Sequence, residues 1–119
     1  MSAVVVYGLK NCDSCRAARN YLDERAFRYE FRDVRSDGLS DAELDSWIAA
    51  VGWEALLNRK SRTWRELPED DRAGLDAGKA RSLLKAHPTL IKRPVIDATR
   101  GTVTVGWNGE VRAALQAVL

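Results

Sequence analysis

The chain has 119 residues, 45% of them hydrophobic and 30% charged, the size of one globular domain that buries a core without disulfide or metal staples. Its 19 basic and 17 acidic residues are interspersed to a net charge of +2, a solvated surface that gives no electrostatic footprint for direct nucleic-acid binding. No apolar run reaches the roughly 18 residues that cross a bilayer, and Met1-Ser2 leads into a strand-like run with no basic leader or cleavage site, so a cytoplasmic protein with no membrane partner is expected.

Val4, Val5, Val6 and Tyr7 form a β-branched and aromatic run that predicts a buried strand, and Gly8 to Asn11 supply the turn after it. From Asp13 the apolar positions move to helical spacing, with Ala18 and Leu22 four apart and Ala17 and Tyr21 beside them. Asn11 or Cys12 stands where the first turn is capped. Cys12 is thus expected at a helix N-terminus, where unpaired N–H groups and the positive end of the dipole stabilise a thiolate over a thiol. Cys15 lies one turn further in. A Cys-x-x-Cys pair between strand and helix reads as a thioredoxin-like redox motif, the first sulfur attacking and the second resolving the mixed disulfide. The alternative of two inert core cysteines is weighed down by the flanking cations Lys10, Arg16 and Arg19, while Asp13 opposes ionisation. Two cysteines and one distant histidine are too few ligands for a closed zinc site unless a second chain contributes, so no metal is expected.

The helix is expected to end near Asp23 to Arg25. Phe27, Tyr29 and Phe31 then alternate with Arg28, Glu30 and Arg32 as a half-buried second strand, parallel to the first through a right-handed crossover. Asp33 to Gly38 makes a loop. Ser40 with Glu43 forms a capping box, Leu39 and Leu44 stand at hydrophobic-staple positions, and Leu44, Trp47, Ile48 and Val51 give one apolar face before Gly52. Trp53 to Leu57 reads as a short helical turn and Asn58 to Arg62 as a compact basic loop. Pro68 is placed at a first helical position, followed by three acidic residues that favour the dipole, in a helix weakened by Gly74 and Gly78. Ala80, Leu83 and Leu84 line a further helix that Pro88 ends. His87 at that end suits carbonyl capping better than base catalysis. Leu90 to Ile96 leads into a third strand, a turn around Arg100-Gly101 into a fourth at Thr102 to Val105, and a last helix carries Val111, Ala114, Leu115 and Val118 on one stripe. The four tryptophans read as core or loop anchors.

Three blocks, Gly8-Leu9-Lys10-Asn11-Cys12-Asp13, Gly52 to Asn58 with Thr63-Trp64-Arg65, and Ile91-Lys92-Arg93-Pro94, resemble the ArsC family, which includes glutaredoxin-coupled arsenate reductases and Spx-type regulators. They look most like its YffB-type branch, as does Val105-Gly106-Trp107-Asn108, while Cys15 makes a Cys-x-x-Cys pair as in Spx proteins. The resemblance spans nearly the whole chain. It implies an α/β, thioredoxin-like fold (βαβ then ββα) in a single domain over residues 1–119, with a helical insertion over about 40–88. It also implies Cys12 and Arg93 as catalytic residues with Cys15, and a cis bond between Arg93 and Pro94. Substrate contacts are assigned to Asn11, Arg16, Arg59, Lys60 and Pro94, although which cation of residues 59–62 faces the thiolate stays open.

The expected activity is thiol–disulfide oxidoreduction with glutathione as possible co-substrate, no metal or organic cofactor, and glutathione, glutaredoxin or thioredoxin as partner. A protein disulfide or a small oxyanion is the substrate. Two alternatives stand beside it: an arsenate reductase, and a Spx-like redox switch that binds the RNA polymerase α subunit. In the reductases three arginines neutralise the oxyanion. Arg93 matches one and Arg59 or Lys60 approximates another, but Val105-Gly106-Trp107-Asn108 stands where the third belongs and no cation follows until Arg112.

Overall fold

The computed structural model describes residues 4–98 and 101–119. They form two compact units, one of Met1–Asp37 with Arg93–Leu119, the other of Gly38–Lys92.

The first unit is built on a four-stranded sheet. β1 (Val5–Gly8) pairs in parallel with β2 (Glu30–Asp33) and antiparallel with β3 (Val95–Asp97), which pairs antiparallel with β4 (Val103–Val105), giving the order β2-β1-β3-β4. The crossover between β1 and β2 is α1 (Asp13–Glu24), and α7 (Gly109–Gln116) closes the chain. A parallel pair cannot be joined by a tight turn, so the helix between the two strands dictates the pairing seen. Val4 and Val6 of the β1 segment, Ala18, Tyr21 and Leu22 of α1, Ile96, Ala98, and Val111 and Leu115 of α7 make one buried cluster, with Phe27, Tyr29, Phe31 and Trp107 packed against it. Tyr21 and Trp107 meet edge to face, centroids 5.3 Å apart. This is a thioredoxin-like fold, βαβ followed by ββα, with an inserted helical bundle.

The second strand is shorter than its alternating sequence predicts. Beyond the end of α1, Ala26 takes a left-handed φ of 57° and the Phe27 N–H donates to the Leu22 carbonyl at 3.0 Å, so the chain folds back over the helix end. Ladder pairing starts only where β1 lies alongside, at Val5 against Glu30. The last helix is also less regular than its sequence stripe, because Ala114 is exposed and Val118 falls past Gln116. The turn expected around Arg100-Gly101 lies partly outside the described residues.

The second unit holds α2 (Asp41–Val51), α3 (Trp53–Leu56), α4 (Arg62–Glu66), α5 (Glu69–Arg72), α6 (Ala77–Ala86) and a 3-10 turn at Pro88–Leu90. The predicted capping box is formed in full: Ser40 Oγ accepts from the Glu43 N–H and Glu43 Oε1 from the Ser40 N–H, both at 3.0 Å. Gly52, with φ 85°, ends α2. Leu44 and Trp47 are fully buried on α2, which packs on α3 and α6. Burying a side chain of that size contributes about 1.5–3 kcal/mol, and this face, more than local propensity, holds so short a helix. Segment 56–58 lies against segment 90–92 through a bridge of Leu57 with Ile91 and bonds from Asn58 N–H to Leu90 O and Lys92 N–H to Leu56 O. Pro68 is the N-cap of α5, one position earlier than predicted, and Gly78 falls inside α6, which Asp76 caps.

Candidate active site

Cys12 is the N-cap of α1, with extended backbone angles (φ −127°, ψ 122°), and its carbonyl accepts the first helical bond, from Arg16 N–H at 2.9 Å. Sequence dictates this much. The glycine-led turn after a β-branched strand must reverse, and the helix begins at the first residues with helical spacing. Cys12 is half-buried and Cys15 buried, 1% exposed, and both are free thiols.

The two sulfurs stand in opposite electrostatic settings. Burial raises the Cys12 thiol, but the Cys15 backbone N–H, the Cys15 thiol and the Arg93 guanidinium outweigh it and lower Cys12 below the ordinary thiol value. The Cys12 side chain makes no regular capping bond, and the first-turn N–H groups of α1, that of Cys15 among them, are left to act on the sulfur. Burial dominates at Cys15 and, with the neighbouring Cys12, pushes it up to about 12, against a weaker lowering from the Leu9 N–H and Arg93. A reactive sulfur is thus set beside a reluctant one.

Arg93 belongs to the segment that enters β3, its bond to Pro94 is cis, and Pro94 is buried. The Pro94 carbonyl accepts from Gly106 N–H at 2.9 Å, which ties this segment to the end of β4. Asn11 is exposed in the turn. Arg16 is exposed and donates to Asp13 at 2.9 Å, one helical turn back, so each screens the other's charge. Arg59 and Lys60 are exposed residues of the helical unit. With Glu54, Leu57, Asn58 and Lys92 they line an open cleft of about 560 Å³, and the Arg59 guanidinium lies 5.7 Å from the Trp64 ring centroid. Among the described residues no group of three His, Cys, Asp or Glu side chains gathers to hold a metal ion.

Two residues that sequence reasoning did not single out build this site. Gly8 ends β1 directly against Cys15: a Cβ there would stand 2.4 Å from the Cys15 sulfur and 3.7 Å from Phe31 Cε1, so only glycine lets the sulfur in. Asp33, at the same level of β2 and 8% exposed, accepts from the backbone N–H groups of Arg35 at 2.8 Å, Ser36 at 3.1 Å and Lys10 at 3.3 Å. Burial raises its pKa, and those three bonds with the Lys10 charge more than offset this and leave it lowered. Asp33 thereby clips the turn that leads to Cys12. A glycine two residues past a valine run and an aspartate opening a loop are visible in the sequence, but nothing local ties either to a cysteine.

Comparison with known proteins gives a match to the ArsC family over residues 7–115. The chain is similar to the solved structure of a YFFB protein, with 40% identity, 98% of this chain and 99% of that one covered and a TM-score of 0.87. An arsenate reductase (ArsC) related protein from Brucella melitensis is 42% identical, with 96% and 93% covered and a TM-score of 0.74. The global transcriptional regulator Spx of Listeria innocua is 31% identical over 94% of this chain and 86% of its own.

Proposed function

This chain belongs to the ArsC family, and from that premise we propose that it is a cytoplasmic thiol–disulfide oxidoreductase in which Cys12 is the nucleophile and Arg93 holds its thiolate. The observation that carries this reading is the unequal setting of the two sulfurs. Cys12 is accessible and lowered by Cys15 and Arg93, while Cys15 beneath it is buried and raised. An inert pair of core cysteines has no need of that inequality.

With a glutathione adduct as substrate, the Cys12 thiolate attacks the glutathione sulfur. A Cys12–glutathione disulfide forms, the original S–S bond breaks, and the substrate sulfur departs with the electron pair and takes a proton. A second glutathione thiolate attacks the bound glutathione sulfur and releases oxidised glutathione and the Cys12 thiolate. With a protein disulfide, Cys15 or an external thiol from glutathione, glutaredoxin or thioredoxin resolves the mixed disulfide. The dominant cause of the high Cys15 value is burial, which persists once Cys12 is no longer charged, and this favours the external thiol. Asn11, Arg16 and Pro94, on the unit that carries Cys12, are assigned to substrate contact.

Reduction of a glutathionylated peptide and of insulin by the wild type, Cys12→Ser and Cys15→Ser tests the reading. Cys12→Ser is expected to abolish both activities and Cys15→Ser to retain glutathione-coupled turnover within a few-fold. Turnover that survives Cys12→Ser overturns it.

A second reading, a redox-switched regulator, is favoured by the likeness to the Listeria Spx regulator along nearly the whole chain. It predicts capture of the RNA polymerase α subunit, dependent on the oxidation state of Cys12 and Cys15, with no catalytic turnover.

A further inference from the structure

α1, the segment that leads into β2 and Phe31 of β2 border an open cleft of about 590 Å³ lined by Arg19, Asp23, Phe27, Arg28, Tyr29 and Phe31. Cys15, Arg19 and Asp23 follow one another at four-residue steps along α1, so they share one face of the helix. The β2 side answers them: Phe31 borders the Gly8–Cys15 contact, and the Arg19 guanidinium lies over the Phe31 ring at 4.3 Å. Arg19 Nε donates to the Tyr29 hydroxyl at 3.4 Å, and that hydroxyl donates to Asp23 at 3.3 Å. Arg19 is therefore set over an aromatic ring and held through one nitrogen, leaving its two terminal NH₂ groups to present to a ligand. Among the described residues neither Arg19 nor the exposed Arg28 is joined to a carboxylate. One cation over an aromatic ring, a second exposed cation on the cleft wall, and a single carboxylate that accepts from a tyrosine suit a planar anion.

We infer that this cleft selects peptide disulfides that carry an acidic side chain about three residues from the reacting cysteine, which Arg19 receives. The spacing follows from geometry. Arg19 is seven residues along the helix from Cys12, roughly 10 Å at about 1.5 Å per residue. An extended peptide covers that distance in about three residues at roughly 3.3 Å each. The inference rests on Cys12 being the exchanging thiolate, as proposed above. It adds a determinant of substrate choice: Arg19 orients the peptide and draws it to the site, and the sulfur chemistry stays with Cys12.

The test uses peptides whose single cysteine is activated as a disulfide with neutral 2-thiopyridine, with Glu or Gln three positions before or after it. The Cys12 thiolate attacks the peptide sulfur, a Cys12–peptide disulfide forms, and 2-thiopyridone leaves with the electron pair and a proton, giving an absorbance signal. At low ionic strength the better Glu peptide is expected to react about five- to tenfold faster than its Gln twin, and the ratio should shrink at 0.5 M salt. In Arg19→Gln the ratio should fall to about one, and Arg19→Lys, which keeps the charge but not the planar fork, should fall between. A wild-type ratio of one, with the peptides still exchanging, overturns the inference and leaves the proposed function standing; so does a ratio that survives Arg19→Gln. No exchange with any peptide or with neutral dipyridyl disulfide overturns the proposed function itself. The wild-type ratio needs no variant, so a failure of Arg19→Gln to fold does not block the test.

Discussion

Three single residues decide what the cysteine pair can do. Because Cys15 and Arg93 hold Cys12 below the ordinary thiol value, its alkylation rate should rise along a titration centred below the roughly 8.5 of a free thiol. A pH series with iodoacetamide and mass-spectrometric assignment checks this, and Cys15 reacting first would contradict it. Gly8→Ala puts a methyl group where the Cys15 sulfur lies and should displace Cys15. The expected outcome is a stability loss of about 1–3 kcal/mol in urea, relieved when Cys15→Ala is added, because the double variant removes the atom that clashes. Asp33→Ala leaves three backbone N–H groups without their carboxylate and should cost on the order of 2–3 kcal/mol at pH 7. The sign with pH follows from the lowered pKa of Asp33: its contribution is present above the unfolded carboxyl value and is lost as pH falls through the folded one. The gap between variant and wild type in denaturant midpoint should therefore narrow below about pH 4.

At the scale of elements, capping rules carry the helical unit. α2 has 11 residues, too few to persist by propensity alone, and its start is fixed by Ser40 and Glu43. Ser40→Ala should lower unfolding stability by about 1 kcal/mol and Ser40→Asp by much less, measured by urea denaturation. Leu39 and Leu44, the staple pair, are both buried, so the entry to α2 is anchored on either side of the cap. Arg81 on α6 reaches Asp45 at 2.6 Å and Asp41 at 3.4 Å on α2, but these are exposed pairs, and such pairs are typically worth less than the cap. In the first unit α1 has an open N-terminus at Cys12, with no side-chain cap. That leaves the first-turn N–H groups to act on the thiolate, whereas a serine or aspartate at the same place would satisfy them.

At the scale of the whole molecule, the cation supply argues for a disulfide over an oxyanion as substrate. Arg93 stands at the thiolate, but the stretch after β4 is Val105-Gly106-Trp107-Asn108, and Arg112, the next cation, lies 5.8 Å from the Trp107 ring centroid. Asn108 is occupied as the N-cap of α7, accepting from Val111 N–H at 2.9 Å. A missing charge-assisted contact costs about 1.5–3 kcal/mol, roughly one to two powers of ten in rate. Arsenate reduction should accordingly run at least tenfold below disulfide exchange on one preparation, in coupled assays for both. Arsenate turnover equal to that of a dedicated reductase, and lost in Cys12→Ser and Arg93→Ala, would reverse the choice of substrate class.

The order of elements, the parallel crossover, the capping box and the place of Cys12 at a helix start were all legible in the residues. Each is a short-range consequence of periodicity, of a cap residue beside its helix, or of a helix too long to be a hairpin loop. The alternation from Phe27 misled by three residues, because a strand ends where its partner ends and not where its own pattern does. The setting of Cys15 was decided by tertiary structure. Its burial against Gly8, the approach of Arg93 from a segment some eighty residues away and the Asp33 clip on the turn before Cys12 all depend on strand register and packing between distant segments. Alternation and helical spacing state which face a residue takes, and only the assembled sheet brings those faces together.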